Sequence, residues 1–146
     1  RGHIALHAET AADIMVEDPV SIREDASIHD AIVLLTNKGI SAAPVIDAAG
    51  RPVGVISRSD VIVHDRSRLD WPYENGIGRT PRVAEEDSMR VSDLMTPAVF
   101  SVSPTTSARK VVKDLLGLNV HRLFVVDKGV LVGVITPLDI LRHMRD

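Results

Sequence analysis

The 146-residue chain has no cysteine. Disulfide bonds and thiolate chemistry are therefore excluded, and a cytoplasmic home is compatible with the composition. Aromatic residues make up only 3% of the sequence, so a core must be assembled from Val, Ile, Leu and Ala. The net charge is −3. Without a basic field to neutralise phosphates, nucleic acid is not an expected partner. No apolar run approaches the roughly 18–20 residues that span a bilayer. The opening residues Arg1-Gly2-His3-Ile4-Ala5-Leu6-His7 lack the apolar core of a signal peptide. They read as an N-terminal extension over 1–10, and a longer parent protein stays open. No phosphate-binding GxxxxGK[ST] loop, GxGxxG or GxSxG occurs. His3, His7, His29, His64 and His143 have no metal-ligand spacing. Neither a catalytic set nor a metal site is expected.

What the chain does have is an internal duplication. Gly54-Val55-Ile56-Ser57-Arg58-Ser59-Asp60 returns 79 residues later as Gly133-Val134-Ile135-Thr136-Pro137-Leu138-Asp139. A shift of 80 aligns Asp13-Ile14-Met15 with Asp93-Leu94-Met95, and Val45-Ile46-Asp47 with Val125-Val126-Asp127. The shift falls by one because copy one has an extra residue in Asp47-Ala48-Ala49-Gly50, a turn sequence that tolerates insertion. The boundaries are 11–64 for copy one, 65–90 for a connector and 91–146 for copy two. The connector is rich in charge, Pro and Gly, and carries Trp71, Tyr73 and the acidic run Glu85-Glu86-Asp87.

Each copy reads alike. Ile28, Ala31, Ile32 and Leu35 form a helical stripe, capped by Ser27 or Asp25 and ended by Gly39. In copy two the stripe is Ala108, Val111, Val112 and Leu115, with Thr105 or Thr106 as cap. Two apolar runs around a turn follow, the pattern of a β-hairpin. A second helix starts near Ser59 and near Pro137, and a short strand precedes the first helix. The expected class is α/β (α+β): two βαββα units packed about a pseudo-two-fold axis. A unit of about 55 residues is marginal alone, so the copies are expected to share a cleft.

Ser57-x-x-Asp60 and Thr136-x-x-Asp139 allow two readings. One is a helix-capping box, with Pro137 suited to the first helical position. The other uses the helix start and its hydroxyl for a phosphate, and the Asp, an acceptor only, for the two hydroxyls of a ribose. An adenine would then need an apolar slot with free backbone groups, which the strands at Ile40-Ser41-Ala42 and Val120-His121-Arg122 can line. The two uses are compatible.

With these motifs in order and occurring twice, the chain resembles a tandem CBS-domain pair, or Bateman module, over everything except the N-terminal extension and the connector. The resemblance implies a regulatory module without catalysis. It would bind an adenine nucleotide (AMP, ADP, ATP or a related adenosyl ligand) and control a partner or an attached effector domain. The alternative within the family is a structural or dimerisation module without a nucleotide. Carried over by motif, the implied nucleotide site is Thr10, Ile40, Ser41, His121, Arg122, Val134, Thr136 and Asp139. A second, weaker site is Val55, Ser57, Arg58, Asp60 and Val120. Copy one departs from copy two by placing Ser41-Ala42 where copy two has His121-Arg122, leaving Arg58 as its obvious cation. The resemblance also implies a homodimer, no required cofactor, and a place in the cytoplasm or on the cytoplasmic face of a larger membrane protein.

Overall fold

The computed structural model describes residues 4–62 and 89–146. Most of the connector, with Trp71, Tyr73 and Glu85-Glu86-Asp87, lies outside the described residues. In chain order the elements are β1 (Ala5–Leu6), α1 (Ala11–Ile14), β2 (Val16–Glu17), β3 (Ile22–Arg23), α2 (Ile28–Lys38), β4 (Ala42–Ile46) and β5 (Pro52–Ser57). Residues 58–62 are also helical. Then come α3 (Val91–Leu94), β6 (Ser101–Val102), α4 (Ala108–Gly117), β7 (Leu123–Asp127), β8 (Val130–Ile135), α5 (Pro137–Arg142) and β9 (Met144–Arg145).

The chain divides into two compact units. The first comprises the N-terminal residues to Pro19, Ala49–Pro52 and Val99–Asp146. Its sheet has the order β2-β8-β7-β6. Strands β6 and β7 are parallel, with Val102 opposite Val125, so a crossover is required between them, and α4 supplies it. Strands β7 and β8 are an antiparallel hairpin whose register shifts after Val125, leaving Val132 as the extra residue of a bulge. That residue is used: its carbonyl accepts Asp18 N–H at 3.3 Å. The core holds Ile14, Val102, Val111, Leu115, Leu123, Val125, Ile135 and Ile140, all buried. Each such side chain contributes roughly 1.5–3 kcal/mol of burial.

The second unit comprises Val20–Ala48 and Val53–Ala98. Its sheet is β3-β4-β5, with β3 parallel to β4 and Ile22 opposite Val45. Its core holds Ile22, Ala31, Leu35, Ala43, Val45, Ile56, Val61 and Val91. Ser27 caps α2 by accepting Asp30 N–H at 3.0 Å, and Gly39 ends it at φ 63°, as the sequence led one to expect. In copy two the cap is Ser107, which accepts Lys110 N–H at 3.2 Å. The expected Thr105 and Thr106 are not the cap. Thr106 Oγ1 is already engaged by Ser103 N–H at 3.0 Å, in the turn before the helix.

Each sheet is finished by the leader of the other sequence repeat. Val16 and Glu17, from the start of copy one, pair with Val134 and Gly133 of copy two. Thr96, from the start of copy two, exchanges both backbone hydrogen bonds with Val55 of copy one, at 2.8 and 2.9 Å. Glycine makes both contacts possible. A Cβ on Gly133 would lie 2.5 Å from Met15 Sδ, and one on Gly54 would lie 2.6 Å from the Thr96 carbonyl and 2.9 Å from Met95 Sδ.

Two predictions follow from these contacts. Gly133→Ala meets the Met15 side chain from Sδ back to Cβ and should cost about 2 kcal/mol, whereas Gly54→Ala meets the Thr96 backbone carbonyl and should cost nearer 3 kcal/mol. Urea denaturation of both variants checks the order. The second concerns Asp13, whose Oδ2 accepts Glu9 N–H at 2.9 Å and Thr10 N–H at 3.0 Å. These backbone hydrogen bonds, with Glu9 foremost, hold its carboxyl below the ordinary carboxylate range. A depressed folded pKa stabilises above the unfolded value and loses that contribution as pH falls through the folded one. Asp13→Asn should therefore melt lower than the parent at pH 7, and the gap should close below about pH 4, near the unfolded Asp value. A gap constant from pH 7 to pH 2.5 would refute this.

Candidate functional site

Among the described residues, four aspartates do the same local job. Asp13, Asp60, Asp93 and Asp139 each sit three residues after the start of a helix and accept a backbone N–H from that start. The distances are 3.0 Å from Thr10, 2.9 Å from Ser57, 2.8 Å from Arg90 and 2.8 Å from Thr136. The capping reading of both repeated motifs is thus realised. In copy one it is reciprocal, since Ser57 Oγ accepts Asp60 N–H at 3.2 Å.

Asp139 differs from the other three in its surroundings. It is 6% exposed, a buried carboxylate. Thr136 Oγ1 donates to its Oδ2 at 2.9 Å, beside the backbone bond from Thr136 N. Its Oδ1 faces Arg142 Nη1 at 3.6 Å. The His143 ring Nδ1 lies 2.9 Å from the Asp139 carbonyl, tying down the last turn of α5. A carboxylate so enclosed keeps its position, and Oδ1 retains capacity for a further donor.

The β7–β8 ladder places a cation near this group. Leu123 pairs with Ile135 at the end of the ladder. Arg122 and Thr136 are the next residues on each strand, so they face each other at its open end. Arg122 is half-buried, and burial pushes its guanidinium pKa down. It has no hydrogen-bond or ion-pair partner among the described residues. A half-desolvated, unpaired guanidinium is a demand for an anion. His121 beside it is exposed.

The other expected site residues fall as follows. Thr10 starts α1 and bridges to Ser107 at the start of α4. Val134 is the ladder partner of Val16. Thr10, Val120, His121, Arg122, Val134, Thr136 and Asp139 all belong to the first unit. Ile40, Ser41, Val55, Ser57, Arg58 and Asp60 belong to the second. There Arg58 donates from Nε to the Ile40 carbonyl at 2.9 Å and from its backbone N–H to the Ser41 carbonyl at 2.8 Å.

The first unit also has a groove of about 1010 Å³ that sequence reasoning did not foresee. Leu6, Val112, Leu116, Leu141 and Met144 line it, and His121 and Pro137 are also among its lining residues. The signal was present in the helices: Leu116 lies outside the expected stripe of α4 and is 75% exposed, and Leu141 on α5 is 62% exposed. Among the described residues no helix is long and apolar enough to cross a membrane.

Comparison with known proteins agrees with this architecture. A family model for the CBS domain matches residues 11–66 and 91–146. The protein MJ1225 of Methanocaldococcus jannaschii is 28% identical over 142 residues, which is 97% of this chain and 45% of the relative. The γ-3 subunit of bovine 5′-AMP-activated protein kinase is 28% identical over 128 residues, 87% of this chain and 24% of the subunit. The chain thus spans less than half the length of these relatives. A crystal structure of CBSX2 in complex with AMP aligns with a TM-score of 0.70 at 29% identity, covering 92% of this chain and 95% of that one. The duplication, the mixed helix and strand units and the matched family place this chain in the CBS-domain family, as a tandem CBS pair.

Proposed function

We propose that this tandem pair, repeats 11–64 and 91–146 with their connector 65–90, is a regulatory module that binds an adenine nucleotide through copy two. The observation that carries this reading is Arg122, half-buried and without a partner among the described residues, opposite Thr136. In the proposed arrangement Arg122, His121 and the Thr136 hydroxyl, its proton turned from Asp139 Oδ2, meet the phosphate, and Asp139 accepts from the ribose hydroxyls. Thr10 and Val134, in the same unit, complete the site. Val55, Ser57 and Asp60, in the second unit, form the weaker counterpart. The AMP held by CBSX2 supports the choice of ligand class. The module turns over no substrate. Its occupancy controls an attached or separate effector in the cytoplasm or at the cytoplasmic face of a membrane.

Calorimetry with AMP and adenosine tests the assignment. A hydrogen bond to a charged group is worth about 1.5–3 kcal/mol, so Arg122→Ala should weaken AMP by roughly one to two decades. Adenosine, which has no phosphate, should be unaffected. Asp139→Asn should weaken both ligands, while Asp60→Asn leaves the tight event intact. Equal loss of AMP and adenosine in Arg122→Ala would show that Arg122 does not meet the phosphate.

The leucines of α4 and α5 favour a companion reading, that the module is a homodimer. Leu116, Leu138 and Leu141 are each more than half exposed, and water-facing leucines on neighbouring helices suit an apolar interface. Light scattering should give twice the chain mass at micromolar concentration, and Leu116→Glu combined with Leu141→Glu should return the monomer. A dimer whose melting temperature does not respond to AMP would favour the purely structural role over nucleotide sensing.

A further inference from the structure

The two copies differ at one position in a way that decides whether the motif is open. Arg58 and Pro137 occupy equivalent places, directly after the motif hydroxyl. Arg58 spans from the Ser57–Asp60 turn to the start of β4 with two hydrogen bonds. Its backbone N–H reaches the Ser41 carbonyl at 2.8 Å and its Nε reaches the Ile40 carbonyl at 2.9 Å. One residue thereby engages two consecutive strand carbonyls and ties the strand start to the turn that carries Asp60. Proline has no N–H and no guanidinium, so Pro137 can make neither bond. The equivalent carbonyls of Val120 and His121 accept no hydrogen bond among the described residues.

The geometry points to Arg58 as a latch that keeps the copy-one motif from nucleotide, rather than as a phosphate ligand of that motif. This rests on the nucleotide reading given above and adds to it the residue that makes the copies unequal. While Arg58 holds Ile40 and Ser41, it ties the turn that carries Ser57 and Asp60 to the residues before β4, and its guanidinium is directed at backbone. A nucleotide must break those bonds to enter. At Thr136–Asp139 no equivalent bond from Pro137 stands in the way among the described residues.

The sign of the effect separates the two roles. AMP binding is followed by calorimetry in the parent chain, Arg58→Ala, Arg58→Pro and the converse Pro137→Arg. Proline is tolerated at this first helical position, as copy two demonstrates. A latch predicts that Arg58→Ala and Arg58→Pro tighten a second AMP event about tenfold or bring it into range, giving two per chain. Asp60→Asn added to Arg58→Ala should abolish the gain, and Pro137→Arg should weaken the tight event about tenfold. A phosphate ligand predicts that Arg58→Ala weakens the second event, which would overturn the latch, as would no change or a gain that depends on Asp139. If the parent binds no AMP, the nucleotide reading fails for the parent chain. The latch then stands only if Arg58→Ala gains an event lost with Asp60→Asn, and falls otherwise.

Discussion

The structure depends on sheet edges that neither repeat can satisfy with its own residues. Strand β8 has β7 on one side and needs a partner on the other; Val16 and Glu17 from the far end of the chain provide it. Val55 meets the same need through Thr96. An unpaired N–H or C=O removed from water costs free energy comparable to a lost hydrogen bond, so each sheet is incomplete without a leader that arrives from the other repeat. The two glycines follow from this constraint. A leader can lie on the strand only where the strand has no side chain, and Gly54 and Gly133 stand under Met95 and Met15.

The same leaders bring the short helices α1 and α3, each of four residues. Helices this short leave nearly all their N–H groups without an internal partner. Asp13 and Asp93 answer that locally, at exposed positions, where water can do much of the same work. Asp139 makes the same bond inside the protein. Burial of a carboxylate is unfavourable unless it is hydrogen-bonded or paired, and Thr136 and Arg142 provide both. A cap alone needs no such enclosure, as Asp13 and Asp93 demonstrate. The enclosure fixes a carboxylate beside Thr136, across the ladder end from an unpaired arginine, and that combination distinguishes this motif from the three other caps.

Much of this was legible in the sequence because it is local. The stripes Ile28, Ala31, Leu35 and Ala108, Val111, Leu115 have helical spacing, and their burial followed. Ser27 and Gly39 are end signals that act within one turn. Ser107 was missed because four hydroxyl residues precede α4, and only the prior engagement of Thr106 by Ser103 decides among them. The exchange of leaders was not legible. Asp-Ile-Met and Asp-Leu-Met align as repeats, but alignment says nothing about which sheet a segment joins. Nor was the role of the turn insertion, where Gly50 at φ 84° gives its carbonyl to Leu131 N–H at 2.9 Å. For the site, the residue types were legible and their engagement was not: Arg58 and Arg122 both read as available cations, yet one is hydrogen-bonded to backbone and the other has no partner among the described residues.

On the proposed nucleotide reading, that difference sets the two copies apart as binding motifs. Two identical motifs would bind with equal intrinsic affinity, and the chain would report ligand concentration over a single range. Here copy two has an arginine where copy one has Ala42, and a proline where copy one has Arg58. The first substitution raises the attraction for an anion in copy two. The second removes the two bonds that, in the proposed latch, a ligand would have to break. Both act in the same direction, so their effects on relative affinity combine rather than cancel. The fold tolerates the divergence because neither side chain is in the cores that hold each unit together. Repeats that share a scaffold can therefore differ in ligand response through residues at the strand and helix starts alone, while the leaders and the glycines beneath them keep the two sheets complete.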